Sequence, residues 1–317
     1  MENSKKLIII DSNSVLHRAF HALPPLINKK GEQTGAIYGF LLTFFKAIKE
    51  LRPYFIAACF DTSGPCFRHK KFKAYKANRP KMPEELAKQF FKIKEILKAF
   101  NVSIFEKQGF EGDDLIATIN KLAGKNQIYP NLEIYILSGD SDLFQLISNN
   151  TKVYTLQKGV KKTIIYNRKE VFSRFGIKPS QVVDFKALCG DPSDNIPGVM
   201  GIGKKTAMKL LSKFGDLENI YKEIEKKSEK TKSLNQKLQE LLLEYKEQAF
   251  FSKYLASVRD NVPIDFKLEA LQWENFDRKK VFEIFEDYGF HSLIKRLSEI
   301  DSQKEFASIS QQRLNLF

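Results

Sequence analysis

LIIID (7–11), YFIAACFD (54–61) and LEIYILSGDSD (132–142) share one design: a short apolar run that ends in aspartate. Such runs, too short for ordinary helices and rich in Ile, Phe and Tyr, predict buried strands over Leu7–Ile10, Tyr54–Phe60 and Leu132–Leu137. Between the first two, Ile37, Leu41, Phe44, Ile48 and Leu51 recur at spacings of four and three, one face of a helix. Strand, helix and strand in that order predict an α/β fold with a mainly parallel sheet.

The same periodicities carry outward. Pro83, then Glu84 and Glu85, open a helix whose stripe is Leu86, Phe90, Ile93, Leu97 and Phe100. Val102–Phe105 reads as a strand, Leu115–Leu122 as a helix, and Val153–Leu156 with Thr163–Tyr166 as a hairpin around Gly159. From about residue 167 the chain turns to helices joined by Gly/Pro-rich turns, with a long, charged, weakly amphipathic helical stretch at 218–256 and a polar tail after 298. We therefore expect a sheet domain over 1–170, a helical domain over 171–297 and a flexible tail over 298–317.

Composition narrows the class. With 317 residues, 43% of them hydrophobic and 12% aromatic, a packed core is expected. The longest apolar run, Tyr54–Phe60, is far short of the ~20 residues of a membrane span, and the start lacks a signal-peptide core. Three scattered cysteines, Cys59, Cys66 and Cys189, fit neither a disulfide framework nor a zinc module. An intracellular, membrane-free monomer is the expectation. The net charge of +14 fits a polyanionic partner, or equally a coat of solvated lysines. Its distribution favours the partner, because residues 68–81 hold seven lysines and arginines and no acid, interleaved with Phe72 and Tyr75.

Carboxylates cluster at strand ends, where parallel sheets bind ligands. Asp11, Asp61, Asp140 and Asp142 follow the three apolar runs, Glu111, Asp113 and Asp114 open a helix, and Asp191 and Asp194 precede a glycine-rich turn. Any one of them could be a turn former or helix cap. Converging, they would need counter-charge, and an oxygen-only ligand set points to Mg²⁺ or Mn²⁺. Acids of this kind inside a basic chain suit phosphodiester hydrolysis. The segment GVMGIGKKT (198–206) misses the P-loop pattern, since Lys205 stands at the Ser/Thr position. It reads as a helix-hairpin-helix turn, in which Gly201, Gly203, Lys204 and Lys205 grip a backbone phosphate, or as a plain tight turn between packed helices.

Asp11 with RAFHAL (18–23), FDTSGPCFRHKKFKAYKANRP (60–80), FEGDDLIAT (110–118), LSGDSDLFQL (137–146) and GDPSDNIPGVMGIGKKTA (190–207) resemble, in order and spacing, the 5′–3′ exonuclease domain of bacterial DNA polymerase I and the flap endonuclease superfamily. The resemblance spans about residues 5–297. It implies a PIN-like, resolvase-like sheet with flanking helices, a helical arch over 62–100, and a C-terminal all-α helix-hairpin-helix (helix-3-turn-helix) domain. It implies two Mg²⁺ or Mn²⁺ ions: Asp11, Asp61, Glu111 and Asp113 around the first, Asp140, Asp142 and Asp194 around the second, with Asp114 and Asp191 as outer supports. It further implies catalytic roles for Lys76 and Arg79 beside Asp61 and Asp140, stacking by Tyr75, phosphate contacts from Arg18 and Arg68, and a K⁺ ion at the hairpin.

Two positions depart from the family pattern. Gly112 replaces a usual Ala, and Ser141 a usual Lys; neither removes a carboxylate. The ending QQRLNLF (311–317) resembles clamp-binding peptides through Gln312, Leu314, Leu316 and Phe317, which would recruit a stand-alone enzyme to a sliding clamp beside a separate polymerase. The implied function is a 5′–3′ exonuclease and flap endonuclease acting on 5′ flaps, nicks and RNA-primed DNA in the bacterial cytoplasm, at the nucleoid. The alternatives are a silent branched-DNA-binding module and a PIN-type ribonuclease.

Overall fold

In a computed structural model, residues 4–156 and 163–298 are described. Six strands form one sheet in the order β3-β2-β1-β4-β5-β6: β1 Lys6–Asp11, β2 Phe55–Cys59, β3 Ser103–Phe105, β4 Glu133–Leu137, β5 Thr151–Leu156 and β6 Thr163–Tyr166. The first five are mutually parallel and β6 pairs antiparallel with β5, so the expected mainly parallel sheet and closing hairpin are both present. Gly159, at the expected turn, lies outside the described residues. The chain runs outward from β1 through β2 to β3, then returns to place β4 on the other side of β1. That reversal makes the carboxyl ends of β1 and β4 the topological switch point, where ligand sites form in such sheets.

The helices are α1 Ser12–Ala22, α2 Gly35–Leu51, α3 Phe67–Lys71, α4 Glu84–Ala99, α5 Gly112–Gly124, α6 Arg168–Phe175, α7 Val182–Cys189, α8 Lys204–Phe214, α9 Leu217–Glu225, α10 Gln236–Glu244, α11 Lys246–Ala256 and α12 Arg278–Tyr288. Both sheet faces are covered, which is why the strands read as unbroken apolar runs. Ile8, Ile10, Ile56 and Phe60 share one apolar cluster with α2 and α4, extended by α12 against α4; Leu7, Ile9, Ala57 and Ile136 share the other with α5, which continues through α8 and α9.

Three expectations gain detail. Across the division expected near residue 170 one apolar cluster is continuous, running from Leu7 and Ile136 through Leu210 to Tyr221. Moreover, the chain after α11 returns to the sheet domain. Trp273 is buried, its backbone N–H donates to the Tyr54 carbonyl at 2.9 Å and its indole N–H to the Phe100 carbonyl at 2.8 Å. Phe285 and Leu293 then complete the core against α2 and α4. The second is at 218–256, which is three helices and a 3-10 turn (Glu229–Ser233). Lys227 takes a positive φ of 49° and Asn235 caps α10, so the charged run breaks where polar side chains compete for the backbone.

The third concerns the arch. Its second half, α4, is core: Leu86, Ile93, Ile96 and Leu97 are buried, and Gln89 Oε1 accepts from Ala36 and Ile37 at the start of α2. What spans the site is the irregular strap between α3 and α4, tied down on the turn after α7. The Lys76 N–H donates to the Asp194 carbonyl (3.0 Å), Asn195 Nδ2 to the Ala74 carbonyl (2.7 Å) and Asn78 Nδ2 to the Pro192 carbonyl (2.7 Å).

Candidate active site

The carboxylates meet at the switch point. Asp11 ends β1 and caps α1, its Oδ1 accepting from the Ser14 N–H (3.0 Å) and its Oδ2 from the Ser138 hydroxyl (2.6 Å) at the end of β4. The same Ser138 hydroxyl accepts from the Asp140 N–H (2.9 Å), and Asp140 Oδ1 from the Asp142 N–H (2.9 Å), so the turn after β4 projects both aspartates. Asp61, two residues beyond β2, accepts at 2.6 Å from the N–H of Gly112 in the first turn of α5. That bond brings Glu111 and Asp113 to the same edge. A Cβ on residue 112 would lie 3.2 Å from Asp61 Oδ1, a close approach that glycine leaves open.

Electrostatics report how crowded this edge is. Burial pushes the Asp11 carboxyl up to about 7, with Asp140 and Asp61 adding to it. Asp113 is raised well above its usual range by desolvation and by the charges of Asp11 and Asp140. Asp142 rises to about 7 through burial and Asp140, although Lys186 opposes the shift. At Glu111 burial also raises, but Lys76 and Arg68 outweigh it and hold the carboxyl low.

A second group forms beside the first. Oxygens of Asp142, Asp191 and Asp194 all lie within 4.8 Å of one another. Asp191, expected as an outer support, thus stands within reach of Asp142 and Asp194. The turn that carries it is locked backbone to backbone. Asp191 and Ile196 exchange both hydrogen bonds at 2.9 Å, and Gly198, with φ of +65°, passes so close to Gly190 that a Cβ there would lie 2.2 Å from the Gly190 nitrogen.

Cations enter from two sides. From the strap, Lys76 Nζ reaches Glu111 at 2.5 Å and Asp194 at 3.8 Å, and Arg79 reaches Asp194 at 2.5 Å. Lys76 holds a positive φ of 54°, a strained backbone for a side chain of its size. From α7, Lys186 bridges Asp142 and Asp191. Sequence reasoning missed Lys186, along with Ser138 and with Asn13, which accepts from the Asp61 N–H at 3.0 Å. A single lysine, serine or asparagine near such motifs carries no signature of its own.

Two expected nucleic-acid contacts are overturned. Arg68 is 2% exposed and all five of its donors are engaged: Asp114 at 2.8 and 2.9 Å, Glu111 at 2.7 Å, and the carbonyls of Leu255 and Ser257 at 2.9 and 2.7 Å. It has no N–H left for a phosphate, and it fixes α5 to the segment after α11. Asp114, fully buried, is its partner. Tyr75 is 3% exposed, its hydroxyl donating to Glu111 at 3.1 Å and its ring edge-on to His69, so it offers no face to a base.

The other expected contacts are accessible. Arg18 is half-buried beside Gly139, donating weakly to Thr155 Oγ1 at 3.4 Å. Gly201, Gly203, Lys204 and Lys205 are exposed at the turn between α7 and α8. Gly201 takes φ of +81°, and Gly203 caps α8 without a side chain to accept its first N–H groups. The uncapped helix start and the two exposed lysines are what an anion site requires. Gln312, Leu314, Leu316 and Phe317 lie outside the described residues, and among the described ones no helix is long and apolar enough to cross a membrane.

Comparison with known proteins agrees with this architecture. A family model described as 5′–3′ exonuclease, N-terminal resolvase-like domain, matches residues 6–176, and one described as 5′–3′ exonuclease, C-terminal SAM fold, matches 177–279. DNA polymerase I of Bacillus subtilis (strain 168) is 40% identical over 305 residues, covering 96% of this chain and 34% of that protein. DNA polymerase I of Borreliella burgdorferi is 36% identical over 312 residues, covering 98% and 33%. The chain therefore spans about a third of the length of the curated relatives it matches. Among solved structures, the T5 D15 protein co-crystallised with metal ions aligns with a TM-score of 0.62 at 21% identity, over 94% of this chain and 99% of that one. The catalytic core of Rad2 in complex with DNA substrate aligns at 0.58 and 16%, over 94% and 93%.

Proposed function

Because this chain belongs to the 5′–3′ exonuclease family, we propose that it is a structure-specific 5′ nuclease that hydrolyses phosphodiesters at 5′ ends, nicks and 5′ flaps of DNA, RNA-primed strands included. The observation that carries this reading is the convergence of Asp11, Asp61, Glu111, Asp113, Asp140, Asp142, Asp191 and Asp194, from five separate segments, at one sheet edge. Carboxyls raised by burial and by one another, Asp11 and Asp113 above all, form an oxygen-only set that fits hard divalent cations, Mg²⁺ or Mn²⁺. Asp11, Asp61, Glu111 and Asp113 would hold one ion, and Asp140, Asp142, Asp191 and Asp194 a second. When bound, such ions supply an activated water and stabilise the departing oxygen.

The chain's own groups then have defined tasks. The hairpin at 198–205 holds a backbone phosphate of the duplex through the first N–H groups of α8 and through Lys204 and Lys205, with a K⁺ ion there in addition. Such contacts fix position without reading sequence, which suits an enzyme that selects structure. Arg18, on α1 and beside Gly139 at the end of β4, meets a second phosphate. The strap lies over the carboxylates where the 5′ strand must pass, and its Lys76 and Arg79 transfer their charge from Glu111 and Asp194 to the scissile phosphate. Donors fixed before the reaction stabilise charge as it develops there.

Division into a sheet domain to about 170 and a helical DNA-binding domain beyond it belongs to the same reading, with 268–298 assigned to the sheet domain. So do the monomeric state, a location at the nucleoid, and docking on a sliding clamp through Gln312, Leu314, Leu316 and Phe317. Deleting 314–317 should abolish clamp retention in a pull-down while leaving cleavage intact. For the chemistry, Asp61→Asn and Asp140→Asn should each abolish cleavage of a 5′-flap duplex in Mg²⁺ while flap affinity stays within a few-fold of the unaltered chain. Turnover near the unaltered rate in either variant would refute the assignment.

A further inference from the structure

Lys186 is the least expected cation at the site. It sits on a helix, four residues before the Gly190 turn, and its side chain is 14% exposed. Its ammonium donates to both Asp142 Oδ1 and Asp191 Oδ2. Those two carboxylates, with Asp194, are the three whose oxygens lie within 4.8 Å of one another. The space such a group can offer one cation is thus spanned by a lysine anchored in the protein. Asp194 is different, because its partners Lys76 and Arg79 come from the irregular strap rather than from a helix.

An ammonium and a divalent ion cannot share this space, since like charges a few ångströms apart repel strongly at low effective dielectric. There is somewhere for the lysine to go. A cavity of about 680 Å³ is lined by Lys186 and these carboxylates and also by Phe144, Phe185 and Met208, which gives the side chain room to swing away from Asp142 and Asp191. Resting on the reading of these carboxylates as ion ligands, we infer that Lys186 is a tethered surrogate cation. It neutralises Asp142 and Asp191 when no divalent ion is bound, and it must be expelled into the cavity for an ion to enter. Lys186 is therefore a positioning residue that sets the affinity of the second ion site, not a group that touches the scissile phosphate. A purely organising role makes the opposite forecast, because loss of the lysine would then let the carboxylates splay and would weaken ion binding.

Mn²⁺ titration followed by the EPR signal of the free ion separates the two roles without any cleavage assay. In Lys186→Met the weaker class of Mn²⁺ site should bind about tenfold or more tightly than in the unaltered chain, whereas Lys186→Arg, which keeps the charge, should match the unaltered chain. A second measurement needs no variant: acylation of lysines read by mass spectrometry, with and without Mg²⁺. Lys186 should become severalfold more reactive when Mg²⁺ is added, while Lys253, paired with Asp184 and Glu218, should not change. Unchanged or weaker Mn²⁺ binding in Lys186→Met, or no gain in Lys186 reactivity, would overturn the inference alone. Failure of both the unaltered chain and Lys186→Met to bind Mn²⁺ at all would overturn the ion-site reading and the inference with it.

Discussion

Arg68→Met should unfold this protein more readily rather than merely loosen its grip on DNA. The guanidinium is 2% exposed and its five N–H groups serve four partners, two of them carboxylates and two backbone carbonyls. Methionine fills much of the same volume but leaves Asp114, fully buried, without its cation, and orphans the Leu255 and Ser257 carbonyls. Removing one partner from a buried pair costs about 3–5 kcal/mol. With a slope of about 3 kcal/mol/M, that shifts a urea midpoint by more than about 1 M. Arg68→Lys should recover only part of the loss, because an ammonium has three donors and no planar fork. Urea melts followed by circular dichroism give the stability, and flap affinity against salt concentration gives the phosphate count. If Arg68→Met stays within about 1 kcal/mol of the unaltered chain while the salt slope for DNA falls by about one contact, the buried-network account is refuted and Arg68 is a phosphate ligand after all.

The hairpin and the second carboxylate group share one backbone lock, so Gly198→Ala should cost about 2 kcal/mol or more in thermal melts and weaken flap binding together, through the clash with Gly190. Trp273→Ala should destabilise by about 3–5 kcal/mol in denaturant titrations, as expected of a core residue; a loss below about 1 kcal/mol would place the 268–298 return outside the sheet domain. Asp113→Asn removes the buried ionisable carboxyl that Asp11 and Asp140 crowd, and should raise the Tm measured in EDTA while shrinking the further rise produced by Mg²⁺.

The sheet was legible because strands buried on both faces print as short apolar runs, and each run ends at a carboxylate that the fold brings to one edge. The carboxylates themselves were legible for the same reason: position after a strand is a topological fact as well as a chemical one. Side-chain burial was not. Arg68 and Tyr75 sit in a segment so rich in cations that composition assigns them to solvent, and only the fold turns them inward onto Asp114 and Glu111. Lys186 went unnoticed because a lone lysine on a helix has no signature until its two aspartates are brought to it by the turn at 190–198. The return of Trp273 to β2 was equally silent, since 268–276 has neither helical nor strand periodicity and is held by backbone bonds to Tyr54 and by its indole N–H.

Cleavage of end-labelled 5′-flap, nicked and blunt duplexes by the unaltered chain, in Mg²⁺ and in EDTA, tests the central claim most directly. Products released from the labelled 5′ end of flap and nick in Mg²⁺, absent in EDTA and weak on the blunt duplex, are the predicted result. Tight binding of the flap with no cleavage in either Mg²⁺ or Mn²⁺, or faster cleavage of single-stranded RNA than of the DNA flap, would contradict it.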